Sequence, residues 1–141
     1  MIVVGVNHRT VPLELLERLA VQPDRLPKSL HDLCEKNDIA EAVVLSTCNR
    51  TEIYVHADKF HGAVADIRNH LCEYAFLAPE ELTDHLYTFH DAAAVAHLFS
   101  VASGLDSAVL GETEILGQVR SAWEIASSER AAGPTLHLLF R

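Results

Sequence analysis

The chain has 141 residues and a net charge of −9, from 11 Lys and Arg against 20 Asp and Glu. This length fits one domain, or one domain with the start of another, and a hydrophobic content of 49% excludes a disordered chain. The acidic balance disfavours nonspecific nucleic-acid binding, which depends on a basic patch. No apolar run reaches the roughly 20 residues that span a bilayer, and the first residues lack the basic region of a signal peptide. The sequence therefore predicts a cytoplasmic protein with no membrane partner.

The predicted elements follow an order that is typical of an α+β fold. Apolar runs and period-two alternation predict strands at residues 2–7, 41–47, 51–57 and 86–90. Helical periodicity predicts helices at 12–20, after residue 24, at 59–76, from 92 to about 103, and from the end of the loop 105–111 to about 130. This order predicts a ferredoxin-like sandwich, whose three- to four-stranded, mostly antiparallel sheet is covered by helices, mainly on one face.

One of the predicted helices carries the details that matter for the site. In the helix after residue 91, spacings of three and four predict a buried face of Val95, Leu98, Phe99 and Ala102. His97 shares its own side of that helix with Ala94 and Val101, whose small side chains leave room beside it. A histidine there can act as a general acid or orient a carbonyl, or it can be a structural residue.

The three cysteines differ in their predicted surroundings. Their odd number and unpaired spacing argue against a disulfide framework and a zinc knuckle. Cys34 and Cys72 fall on or beside apolar helical faces, which predicts core or interface thiols. Cys48 lies in the string STCNRTE, in a tight connection between two strands that can expose it, and cationic Arg50 would favour the nucleophilic thiolate. From this segment alone, an apolar cysteine that closes the hairpin stays the alternative.

Metal and nucleotide sites have no clear signal in the sequence. Nine histidines suggest a metal site, but His85, His90 and His97 do not share one helical face, and no HExxH motif occurs. The six glycines give neither GxGxxG nor a Walker A spacing. We therefore predict no metal ligands and no cofactor-binding residues within this chain.

Several stretches of the sequence closely resemble the glutamyl-tRNA reductase family. They are GVNHRTVP at residues 5–12, STCNRTE at 46–52, HLF at 97–99, and the segment from Val101 to Val119 that contains GLDS, GE and ILGQV. The resemblance implies a catalytic domain of ferredoxin-like character over residues 1–130. It also implies that residues 131–141 begin a linker toward an NADPH-binding domain, with a helical dimerisation domain beyond it.

The chemistry and the site residues follow from the resemblance. It implies that Cys48 attacks the ester of glutamyl-tRNA to give a glutamyl thioester, which NADPH reduces to glutamate 1-semialdehyde, the precursor of 5-aminolevulinate and tetrapyrroles. His97 matches the histidine beside the nucleophile. The matching stretches also imply substrate-binding positions, which are Thr47, Arg50, Ser107, Glu112 and Gln118. Thr113 stands where some members carry a glutamine, so a substrate contact there is in doubt.

The implied partners are the acceptor end of glutamyl-tRNA, glutamate-1-semialdehyde aminomutase, and a second copy that dimerises through a later domain. Two alternatives are carried with this hypothesis. One is a stand-alone thiol esterase or hydrolase. The other is a non-catalytic ferredoxin-like module that binds a ligand and has an inert Cys48.

Overall fold

Four strands form one antiparallel sheet in the computed structural model, which describes residues 1–111 and 113–141. In chain order they are β1 (Ile2–Asn7), β2 (Ile39–Ser46), β3 (Arg50–Ala57) and β4 (Tyr87–His90). Their order across the sheet is β2-β3-β1-β4, and each neighbouring pair is antiparallel. β1 and β3 are therefore the central strands, and β2 and β4 are the edges.

Helices connect and follow these strands. They are α1 (Leu13–Leu19), α2 (Leu26–Cys34), α3 (Phe60–Ala75), α4 (Pro79–Leu82), α5 (Ala92–Ala102), α6 (Glu114–Ser128) and α7 (Pro134–Phe140). The first two link β1 to β2, and the next two link β3 to β4, so that each connection crosses a central strand. Two such crossovers around an antiparallel sheet define the ferredoxin-like fold, and the predicted fold class is confirmed.

The helices cover both faces of the sheet, whereas the sequence predicted cover mainly on one face. On one face, Thr51 Oγ1 donates a hydrogen bond of 3.2 Å to the carbonyl of Leu19, at the end of α1. On the other, the ring of Tyr54 packs edge to face on Phe140 of α7, with 5.4 Å between centroids. Successive side chains of a strand point to opposite faces, so β3 is buried on both sides.

The buried face of α5 also differs from the prediction. Ala94, Leu98 and Val101 are its buried residues, and Phe99 is 57% exposed. The helix is apolar on nearly every side, so periodicity could not select the face that packs on the sheet. This rotation turns His97 toward the sheet.

Residues 131–140 pack against β2. Ala131, Ala132 and Leu136 are buried, and the Ala42 N–H donates to the carbonyl of Ala131 at 2.9 Å. The carboxylate of Glu41 accepts hydrogen bonds from the backbone N–H groups of Gly133 and Leu136, at 2.7 and 2.9 Å. That this segment also begins a linker toward another domain stays a prediction.

None of the helices in residues 1–111 and 113–141 is both long enough and apolar enough to cross a membrane.

Candidate active site

Cys48 lies at the tip of the β2–β3 hairpin and is exposed. The Thr47 N–H donates to the carbonyl of Arg50 at 2.8 Å, and the Asn49 N–H donates to Thr47 Oγ1 at 3.1 Å. Both hydrogen bonds close the turn around the thiol. The predicted tight connection between two strands is confirmed.

The hairpin tip is also joined to the central strand β1. Asn7 pairs with Arg50 in the β1–β3 ladder, and the next residue, His8, donates its backbone N–H to the carbonyl of Asn49 at 2.9 Å. This hydrogen bond extends the pairing of the two strands past the last ladder pair. The position of Cys48 is therefore set by the rigid centre of the sheet as well as by its own turn.

Arg50 is buried, with 1% of its side chain exposed, and its guanidinium pairs with two acidic residues. Nη1 donates to Glu52 Oε2 at 3.2 Å and to Asp106 Oδ2 at 3.0 Å, and Nη2 donates to the Asp106 carbonyl at 2.6 Å. Burial alone would lower the pKa of Arg50, but Glu52, Tyr87 and Asp106 raise it above its ordinary value. Arg50 is thus a permanently charged group held beneath the loop that follows α5.

Glu52 is fully buried and lies within hydrogen-bond distance of four side chains. Arg50 Nη1 at 3.2 Å and the hydroxyls of Tyr54 at 2.8 Å and Tyr87 at 2.5 Å donate to it, and His97 Nε2 lies 2.5 Å from its Oε2. Burial raises the pKa of this carboxyl, but the contact with His97, the charge of Arg50 and the hydrogen bond from Tyr87 outweigh burial and lower it. An ionised carboxylate is tolerated here because both of its oxygens are satisfied.

Gly5 leaves the space that Glu52 occupies. The two residues are paired across the β1–β3 ladder. A Cβ at position 5 would lie 2.7 Å from the Thr51 carbonyl oxygen and 2.8 Å from Glu52 Cγ, closer than a real Cβ tolerates. The glycine is therefore required by this close approach.

His97 lies against the sheet between two aromatic rings. Its imidazole stacks on Phe89, with 4.8 Å between centroids, and lies 5.5 Å from the ring of Tyr87. The small residues beside it, Ala94 and Val101, are buried in the core and are not among the residues that line the cavity at His97.

A cavity of about 250 Å³ opens beside His97, at the end of the sheet that carries the hairpin tip. Its lining comes from β1 and the residues after it, from β4, from α5 and from the following loop, and consists of Asn7, Arg9, Thr10, Tyr87, Phe89, His97 and Asp106. Arg9 Nη1 donates to Asp106 Oδ1 at 3.1 Å, so Arg9 and Arg50 share one carboxylate. Burial raises the pKa of Asp106, but Arg50 and Arg9 lower it below its usual range. The cavity therefore offers a partly exposed cation and a neighbouring imidazole to an anionic ligand.

A family model described as the N-terminal domain of glutamyl-tRNAGlu reductase matches residues 4–141 of this chain. The chain belongs to the glutamyl-tRNA reductase family. The chain is similar to the glutamyl-tRNA reductase of Frankia alni, with 52% identity over all 141 residues and 30% of that protein. It is also similar to the glutamyl-tRNA reductase of Paenibacillus macerans, with 43% identity over the whole chain and 32% of that protein.

A solved structure supports the same relationship. Glutamyl-tRNA reductase from Methanopyrus kandleri is 30% identical and superimposes with a TM-score of 0.77, over 99% of this chain and 31% of that one. The chain therefore spans about a third of the length of the relatives that it matches.

The predicted site residues of this reductase domain fall into separate groups. Thr47, Cys48 and Arg50 lie together in the hairpin, and Glu52 connects Arg50 to His97. Among the described residues, no hydrogen bond joins Cys48 to His97, and the β3 residue that His97 contacts, Glu52, lies four positions along the chain from Cys48. The placement of His97 beside the nucleophile stays a prediction.

Two of the remaining predicted residues, Ser107 and Gln118, follow α5 in the chain. Ser107 is buried and directly follows Asp106 in the loop after α5. Gln118 is exposed on α6, where it lines a second cavity of about 490 Å³ together with Ser46 and Glu114. Glu112 lies outside the described residues.

Sequence reasoning missed Glu52, Tyr87 and Asp106 as parts of the site. One signal was available, because Arg50 and Glu52 are two residues apart and so point to the same face of β3. Two opposite charges on one face of a strand that is otherwise mostly apolar indicate a buried ion pair. The contact of Arg50 with Asp106 joins residues 56 positions apart and has no local signal.

The sheet of the described residues differs from the familiar dinucleotide-binding fold. Dinucleotide sites of the familiar kind need parallel strands and a glycine-rich turn before a helix. Here neighbouring strands are antiparallel, and the glycines lack that spacing. Within residues 1–111 and 113–141, no group of three His, Cys, Asp or Glu side chains could hold a metal ion.

Proposed function

We propose that this chain performs the thioester-forming half of glutamyl-tRNA reduction, with Cys48 as the nucleophile. The observation that carries the proposal is an exposed thiol on a hairpin joined to the central strand, at the same end of the sheet as the cavity that contains Arg9. Membership in the glutamyl-tRNA reductase family supports glutamyl-tRNA as the substrate.

The bonds that change are those of the aminoacyl ester. The thiolate sulfur of Cys48 attacks the ester carbonyl carbon, and a carbon–sulfur bond forms. The bond from that carbon to the terminal ribose oxygen then breaks, the ribose oxygen takes up a proton, and tRNA leaves. The ester is already activated, so a thiolate can attack it without strong acid assistance.

Substrate selection depends on the cationic groups at the cavity. The planar guanidinium of Arg50 suits a carboxylate but is buried against Glu52 and Asp106, whereas Arg9 lines the cavity and is more exposed. A glutamyl carboxylate that pairs with both arginines would have to replace Asp106 between them. Contacts of Thr47, Ser107, Glu112 and Gln118 with substrate are part of the same proposal.

The completed reaction would give glutamate 1-semialdehyde for tetrapyrrole synthesis. We assign the reductant to NADPH bound outside these 141 residues, since the antiparallel sheet of the described residues and the glycine spacing do not match the familiar dinucleotide site. The acidic chain would meet the acceptor end of glutamyl-tRNA, and most of the tRNA would be held elsewhere. An aminomutase that receives the product, a dimer formed through a later domain and a cytoplasmic location are further parts of the proposal.

A single-turnover experiment tests the nucleophile. The chain, in excess over glutamyl-tRNA, is quenched in acid, and the glutamyl adduct is located by peptide mass spectrometry. We expect the adduct on Cys48 in the wild type and in Cys72→Ser, and none in Cys48→Ala. Added NADPH should yield no semialdehyde with this chain alone.

Two results would overturn the proposal. One is an adduct on another residue that persists in Cys48→Ala. The other is repeated turnover of simple esters with no stable adduct, which would favour a thiol hydrolase.

A further inference from the structure

Three side chains donate hydrogen bonds to Glu52, and His97 Nε2 lies 2.5 Å from the same carboxylate. This arrangement bears on which nitrogen of His97 carries the proton. We propose that Glu52 is a positioning residue that holds neutral His97 in the tautomer protonated at Nε2, so that the unprotonated Nδ1 serves the cavity as an acceptor. The role in catalysis rests on the proposed function, whereas the tautomer does not.

The first step is the charge state of Glu52. Arg50 is a permanent donor, and its Nη1 lies 3.2 Å from Glu52 Oε2. The hydroxyls of Tyr54 and Tyr87 approach the two carboxylate oxygens at 2.8 and 2.5 Å. The same surroundings raise the pKa of both tyrosines, so their hydroxyls keep the protons that they donate. Three donors around one carboxyl therefore favour its ionised, acceptor-only form.

The second step is the contact with His97. An ionised carboxylate has no proton to give, so the nitrogen that lies 2.5 Å from Glu52 Oε2 must be the donor. A neutral imidazole carries one N–H, and here Nε2 holds it. The groups that surround the pair come from β3, β4, α5 and the loop after α5, and they are Arg50, Tyr54, Tyr87, His97 and, through Arg50, Asp106.

The third step concerns Nδ1, the ring nitrogen of His97 that does not contact Glu52. Among the described residues Nδ1 makes no hydrogen bond, and it is not among their buried polar atoms that lack a partner. His97 lines the cavity, so Nδ1 is accessible from it. A neutral His97 can therefore take a proton or accept a hydrogen bond from a ligand. It can donate from Nδ1 only as an imidazolium, so the predicted role as a general acid at the cavity requires the protonated ring.

The tautomer is tested directly by ¹⁵N NMR of the 141-residue chain at a pH where the ring is neutral. Long-range proton–nitrogen correlations should show a protonated Nε2 and an unprotonated Nδ1 for His97. The reverse pattern, or a mixture of the two, would overturn the proposal. This result is independent of whether glutamyl transfer occurs.

The catalytic role is tested by a double-variant cycle on single-turnover glutamyl transfer. We expect Glu52→Gln to slow transfer more than about tenfold, as part of the loss of 10² to 10⁴ that removal of a positioned acid or base causes. If Glu52 acts through His97, the same change in a His97→Ala background should have little further effect. If the rate loss of the double variant equals the product of the losses of the two single variants, Glu52 acts only through Arg50 or the fold. That result would overturn this role.

Glu41→Gln is the matched control, because Glu41 is also a buried strand carboxylate but bonds to backbone N–H groups. It should leave both the His97 tautomer and the transfer rate unchanged. If Glu52→Gln does not fold, the wild-type NMR result still decides the tautomer. A correct tautomer without a Cys48 adduct would refute the proposed function alone.

Discussion

Glu41 and Glu52 are two buried carboxylates on the same face of neighbouring strands, yet they perform different tasks. Glu41, on edge strand β2, accepts hydrogen bonds from the backbone N–H groups of Gly133, Thr135 and Leu136. Glu52, on central strand β3, has only side chains as its hydrogen-bond partners within residues 1–111 and 113–141. Backbone donors fix the path of the chain, whereas side-chain donors are themselves oriented by the acid. Burial with satisfied hydrogen bonds therefore does not show whether an acidic residue serves the fold or the site.

The largest effect is expected from Glu52→Leu. This change leaves Arg50 buried with Asp106 as its remaining acidic partner, and breaking a buried pair costs about 3–5 kcal/mol. Urea denaturation at neutral pH should show a loss of this size in the free energy of unfolding, and this loss should be larger than that for Glu41→Gln. Equal losses in the two variants would contradict the distinction between the two acids.

Gly5→Ala should have the next largest effect. The added methyl group presses on the Thr51 carbonyl and on Glu52, and overpacking of this kind costs about 1–3 kcal/mol. Gly117→Ala is the matched control, because nothing lies within 4 Å of its Cβ position on α6. That change should stabilise the chain by up to about 1 kcal/mol through helix propensity. Thermal or urea unfolding would measure both, and a stabilising Gly5→Ala would contradict the close approach.

Glu41→Gln should have a smaller effect that depends on pH. Burial raises the pKa of Glu41, but the three backbone donors and His56 lower it below its ordinary value of 4.5. The unfolded chain then binds more protons, so this stabilisation is present above about pH 4.5 and is lost as the pH falls through the folded value. We expect Glu41→Gln to lower the free energy of unfolding by about 1–2 kcal/mol at pH 7, and by less at pH 3, as measured by urea denaturation. The same loss at both pH values would show that the charge of Glu41 contributes nothing to stability.

The smallest effect concerns thiol reactivity. Burial raises the pKa of Cys34 and of Cys72, and the Cys34 thiol lies 3.9 Å from the carbonyl of Ala131, in the segment that Glu41 holds. Brief alkylation should label exposed Cys48 first. Glu41→Gln should then speed labelling of Cys34 a few-fold and leave Cys72 unchanged. Faster labelling of both would indicate general loosening of the domain.

Much of the fold could be predicted from the sequence because its signals are local. The strands carry apolar runs and alternation, and the turn around Cys48 lies between two of them. The face of α5 could not be predicted, since a helix that is apolar on nearly all sides has no unique buried face. Cover on both faces of the sheet was missed for a related reason, because polar Glu52 alternates with apolar residues as it would on a solvent-exposed face.

The candidate site was predicted only where its residues are close in sequence. Thr47, Cys48 and Arg50 share one turn, and their chemistry is visible in STCNRTE. His97 reaches Glu52 across 45 positions, and Asp106 reaches Arg50 across 56. These contacts depend on how α5 and its following loop lie on the sheet, which no local pattern encodes.

The shared space of Gly5 and Glu52 restricts how this domain can diverge. The two residues face each other across β1 and β3, so one volume is divided between two positions of the sequence. A Cβ at position 5 would meet the backbone oxygen of Thr51 as well as the side chain of Glu52, so a shorter acid at position 52 would relieve only part of the conflict. A shorter acid would also draw its carboxylate away from Arg50 and His97. The absence of one methyl group in β1 thereby keeps both the path of β3 and the reach of its acid.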